Sequence, residues 1–97
     1  MQINATIKVI NPADGGTSKT TGNTWRRQEI VLGWNDPQQA DGTPGREQHL
    51  MVKLVDLSVA RFEELECKVG DSITGELVFF TRSYQGRIYN DILFHIF

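Results

Sequence analysis

The chain of 97 residues has the length of one domain, and its ten Lys+Arg against twelve Asp+Glu leave a formal charge of −2 with 39% hydrophobic residues. A balanced 23% charged fraction with nine aromatics excludes a disordered chain, and the mild acidity excludes a protein that coats DNA by bulk positive charge. Apolar runs of the Leu77-Val78-Phe79-Phe80 kind are far short of the ~20 residues of a membrane span, the opening residues lack the pattern of a signal peptide, and lone Cys67 with His49 and His95 supplies neither a disulfide nor a zinc site.

Strand-like alternation starts the chain, with Ile3, Ala5, Ile7 and Val9 expected on one face and Gln2, Asn4, Thr6 and Lys8 on the other. Residues 11–23, rich in Gly, Ser, Thr, Asp and Pro, read as a long mobile loop carrying Lys19. A second strand is expected over 24–34, with Ile30, Leu32 and Trp34 inward and Gly33 marking a bulge or bend. Residues 35–46 form another polar loop, and Leu50, Val52 and Leu54 set the inward face of a third strand. The period then changes. Val59, Phe62, Leu65 and Val69 recur at helical spacing, so 58–68 reads as a helix with Ser58 as N-cap and Gly70 at its C-terminal end. Strands over 72–82 and 87–97 follow, joined by the turn Ser83-Tyr84-Gln85-Gly86.

The order β-β-β-α-β-β predicts an all-β, five-stranded OB-fold barrel over residues 1–97, with one helix between strands three and four. Glycines inside long strands, Gly33 and Gly75, suit the corners of a small barrel. An SH3-like barrel is the competitor, but its helical element is a short turn before the last strand.

Two stretches carry a family resemblance. They are Gly22-Asn23-Thr24-Trp25-Arg26-Arg27-Gln28-Glu29-Ile30-Val31-Leu32 and Arg82-Ser83-Tyr84-Gln85-Gly86-Arg87-Ile88-Tyr89-Asn90-Asp91. They resemble the signature stretches of a bacterial domain-of-unknown-function family of small proteins regarded as single-strand-binding-like. Val69-Gly70-Asp71-Ser72-Ile73-Thr74-Gly75-Glu76-Leu77 is similar to the helix-to-strand passage of bacterial single-stranded DNA-binding proteins. The resemblance implies an OB fold and nucleic-acid binding. The chain departs from the pattern in a longer 35–46 segment and in stopping at Phe97 without the flexible acidic tail by which such proteins recruit partners.

Charge along the chain agrees with that implication. Residues 1–34 carry four basic and two acidic groups, 79–97 carry two and one, and 35–78 carry four against nine, giving +2, +1 and −5. The positive ends fall on elements that an OB fold uses as its binding groove. Trp25, Tyr84 and Tyr89 are therefore expected to stack bases, with Lys19, Arg27, Lys53, Arg82 and Arg87 on phosphates. Arg26 and Arg27 must face opposite ways, and parity gives the groove to Arg27, opposite Ile30 and Leu32. Trp34 and the phenylalanines Phe79, Phe80, Phe94 and Phe97 read mainly as core, with one of Phe79 and Phe80 facing outward.

Gly15-Gly16-Thr17-Ser18-Lys19-Thr20 lacks the glycine before its lysine that a phosphate loop needs, and no helix follows. No nucleophile or acid–base arrangement stands out. The expectation is a non-catalytic, cytoplasmic protein without cofactor, metal or membrane partner. It binds single-stranded DNA or RNA and assembles as a homo-oligomer, a dimer or tetramer. The alternative is a protein-interaction or assembly OB module without nucleic-acid binding, with Phe94-His95-Ile96-Phe97 as a dimer seam.

Overall fold

A computed structural model describes residues 1–17 and 19–97. Its elements are β1 (Gln2–Ile10), β2 (Asp14–Thr17), β3 (Thr24–Asn35), β4 (Glu47–Val55), α1 (Leu57–Leu65), β5 (Ser72–Tyr84) and β6 (Arg87–Ile96). The sheet runs β1-β5-β6-β4-β3-β2, and a further antiparallel pairing of β1 with β3 closes five of these strands into a barrel. The helix lies between β4 and β5, the third and fourth barrel strands, as in an OB fold. The β4–β6 contact is parallel and rests on the single register pair Lys53↔Leu93.

Alternation decides what lies inside. Ala5 and Ile7, Ile30 and Leu32, Val52 and Leu54, Ile73 and Leu77, and Phe94 are buried, and Val59 and Phe62 of α1 close one end. Burying each large side chain stabilises by roughly 1.5–3 kcal/mol relative to exposure. Gly75 makes this packing possible: a Cβ there would lie 2.4 Å from the His95 carbonyl oxygen and 2.6 Å from the Phe94 ring. Only glycine lets β5 and β6 meet over that ring.

The alternation of β1 breaks at its end. A register shift between Ile7 and Val9 makes Lys8 a bulge, so Val9 is exposed and Ile10 packs against the core, contrary to the expected phase. The irregularity expected at Gly33 is in the partner strand; β3 pairs with β4 without interruption from Arg27 to Asn35. Gly33 instead lies under the Lys8 side chain, whose Nζ reaches Glu47 Oε1 at 3.1 Å.

Two further expectations are corrected. Residues 11–23 are not all loop, because β2 pairs with the start of β3, Gly16 opposite Trp25. Gln28 helps to fix this segment by donating from Nε2 to the Asn11 carbonyl at 2.9 Å. The phosphate-loop reading also involved Ser18, which lies outside the described residues. The helix starts after Asp56, not at Ser58, and ends at Glu66, whose left-handed φ of 50° terminates it. Val69 is beyond the helix and exposed, while the Gly70 amide donates to the Ile7 carbonyl at 2.8 Å. Over Phe94–Ile96 one edge of β6 pairs with β5, and α1 lies alongside His95 and Ile96.

Beyond Leu77 and Phe94 the paired strands β5 and β6 run on as a two-stranded ribbon away from the core. It turns at Gln85 and Gly86, with φ of 50° and 75°, the backbone of a tight hairpin that favours glycine. Phe79 and Phe80 lie on this ribbon and both are exposed, where only one of the two was expected outward, and Phe97 is exposed too, so of these four phenylalanines only Phe94 is buried.

Candidate nucleic-acid interface

The even residues of β3 from Gln28 to Leu32 point inward, which turns Trp25, Arg27, Glu29 and Val31 onto the outer face. Trp25 lies over the paired strand, its ring 3.2 Å from where a Cβ on Gly16 would sit. The Arg27 guanidinium is 5.4 Å from the centroid of the Trp25 ring, and its Nη2 is 3.4 Å from Asp14 Oδ2. Arg26 faces the other way and pairs with Glu63 on α1. The pairing of opposite orientations expected for Arg26 and Arg27 is thus present. Glu63 holds the Arg26 guanidinium above its ordinary pKa, and Arg26 holds the Glu63 carboxyl below its own.

The same parity carries across the sheet. Lys53 stands opposite Glu29, and Met51 opposite Val31, on the outer face of β4. In the ribbon, Arg82 is the cross-strand partner of Tyr89, and Tyr84 of Arg87. The Arg82 guanidinium sits 5.0 Å from the Tyr89 ring centroid. Facing pairs of this kind place a cation and a flat face together, the combination that single-strand binding uses.

Asp91 links the ribbon to the barrel. Its Oδ2 accepts from Arg82 Nε at 2.6 Å and its Oδ1 from Lys53 Nζ at 3.4 Å, with the carboxylate only 12% exposed. The hydrogen bond from Arg82 holds the Asp91 carboxyl below the usual aspartate range, and Lys53 adds to it. At the other end of the outer face Glu47 joins Lys8 and His49, at 3.1 and 2.9 Å, and is likewise held low, first by His49.

Seven of the eight expected residues, Trp25, Arg27, Lys53, Arg82, Tyr84, Arg87 and Tyr89, therefore share one side of the sheet and ribbon. The structure brings them together in two groups, Trp25 with Arg27 and Lys53 with Arg82 and Tyr89; Tyr84 and Arg87 stand as a cross-strand pair nearer the tip. Lys19 lies in the turn after β2 and touches neither group; among the described residues, neither Lys19 nor Arg87 has a carboxylate partner. Composition alone concealed the acids of this face. Asp14, Glu29 and Asp91 stand among the four cations Arg27, Lys53, Arg82 and Arg87, leaving these seven charges at +1, and strand parity was the signal that could have found Glu29 and Asp91. Exposed Phe80, two residues before Arg82 on the same side of the ribbon, was also missed.

No family model matches the chain, and no curated protein sequence matches it. Among solved structures it is similar to a small single-stranded DNA-binding protein from Streptomyces coelicolor, with a TM-score of 0.50 over 99% of this chain and 88% of that one. At 15% identity that likeness supports the fold, a five-stranded OB barrel, and the fold alone. Among the described residues no helix is long and apolar enough to cross a membrane.

Proposed function

We propose that the chain is a non-catalytic OB module that binds single-stranded nucleic acid, DNA in the first place, with low sequence preference. The observation that carries this reading is the pair of cation-over-ring contacts, Arg27 on Trp25 and Arg82 on Tyr89, on one outer face with Lys53 between their strands. Bases would stack on Trp25, Tyr84 and Tyr89, while Lys19, Arg27, Lys53, Arg82 and Arg87 meet phosphates. The likeness in fold to a single-stranded DNA-binding protein supports the same reading. Titration of tryptophan fluorescence with oligo-dT tests it. Quenching or a spectral shift that fades as salt rises is expected, and no change at micromolar protein and low salt refutes it.

A second reading rests on the other side of the ribbon, where Phe79 is 57% and Ile88 75% exposed. Such a surface suits self-association or a protein partner. The double substitution Arg82→Glu with Arg87→Glu separates the two: nucleic-acid binding should be abolished, and any oligomer seen by light scattering should persist.

A further inference from the structure

Asp91 joins two cations and is the least exposed of the three groups, and its two oxygens are used separately. One takes Arg82 Nε from β5 and the other takes Lys53 Nζ from β4. A phosphodiester also presents two charged or half-charged oxygens on one centre, the two non-bridging ones. Two cations from different strands that converge on the two oxygens of one small anion are already arranged for that group. The Tyr89 ring under Arg82 adds a flat surface beside it.

We propose that Lys53 and Arg82 form a subsite for one backbone phosphodiester, and that Asp91 fills it as an internal counter-ion until a strand displaces it. This rests on the single-strand-binding reading and adds to it a named phosphate position and a residue that restrains affinity. The exchange is purely electrostatic: one carboxylate leaves two donors and one phosphodiester takes them, with no bond made or broken. Arg27 with Asp14 is a looser version of the same arrangement, since that pair is 3.4 Å apart with both side chains more than half exposed. Water and salt already screen it.

Asp91→Asn tests the assignment, because the amide keeps an acceptor for Arg82 but removes the charge. Binding of oligo-dT by fluorescence should tighten roughly threefold to fivefold at low salt, the upper range for a single exposed ion pair. The plot of log K against log salt should steepen by about 0.7, the value of one more phosphate neutralised on a single strand. Asp14→Asn should do less, and Glu64→Gln, the same charge change on the far helix, should leave the slope unmoved. If the wild type binds and Asp91→Asn binds equally or more weakly with the same slope, Asp91 is a strut and the subsite is overturned. If the wild type does not bind at all, the single-strand reading falls and takes the subsite with it. A measurement on the unaltered protein guards against an unstable variant: the carbon-13 resonance of the Asp91 carboxyl should move as oligo-dT saturates the protein. A resonance that stays in place at saturation overturns the proposal.

Discussion

Trp25 is the residue on which the binding reading can be weighed most directly, since it is exposed, stacked against Arg27 and on the outer face. Trp25→Ala should cost about 1–3 kcal/mol of binding to oligo-dT, the range for one stacked base. Trp34, packed against the core, should respond to substitution through stability instead. The carboxylates make a separate prediction. Asp91, Glu47 and Glu63 are held low by hydrogen bonds from Arg82, His49 and Arg26 respectively. A folded pKa below the unfolded one contributes stability above the unfolded value and loses it as pH falls through the folded value. Thermal melting should therefore stay level down to about pH 5 and drop below about pH 4, the ordinary carboxylate range; a loss that starts near pH 6.5 would implicate histidine instead. At this scale the site was partly legible. Period two was enough to turn Arg27 outward and Arg26 away. The ion pairs of Asp91 and Asp14 were not, because they depend on which strand lies next to which.

Strands β5 and β6 illustrate both the reach of periodicity and its limit. Each was readable as a strand, and so was the turn between them. The length of ribbon beyond the core was not, because Phe79, Phe80 and Ile88 have the composition of buried strand and only the barrel's size leaves them outside. Hydrogen exchange measures the difference. Amides of the ribbon near Gln85 should exchange fast, and those of Leu32, Val52 and Leu77 should approach global protection. Uniform protection along β5 would show that the ribbon is covered in solution. Where the strands do pack, Gly75→Ala should destabilise the fold by about 3 kcal/mol or more, since backbone and not a pliable side chain blocks the new methyl. Urea unfolding would read that loss. The bulge at Lys8 had a faint trace in the sequence, the adjacent apolar pair Val9 and Ile10, but nothing local says which of the two turns inward. Strand β2 had none: Asp-Gly-Gly-Thr is loop-like in composition and pairs because β3 continues past the barrel.

For the molecule as a whole, net charge was a poor guide. The sum of −2 joins an acidic helix side to a face on which four of the expected cations share space with three carboxylates. Salt titration of binding should report this: two unpaired cations would give a slope of magnitude about 1.4 and five about 3.5, so an intermediate value is expected. The barrel itself was legible from element order, but its closure was not, being a matter of which strands meet. That closure falls to β1. Its residues pair with β3 on one side and β5 on the other, Gln2 opposite Glu76, and the Met1 carbonyl accepts from the Leu77 amide at 2.8 Å. Strand β1 thus waits for β5, far along the sequence, before both its edges are satisfied. Such late, long-range closure sets a kinetic character: refolding on the millisecond-to-second scale, slower than a helical bundle of equal size. Until then β1 exposes an unpaired edge, and strand exchange between half-folded chains competes with closure as concentration rises.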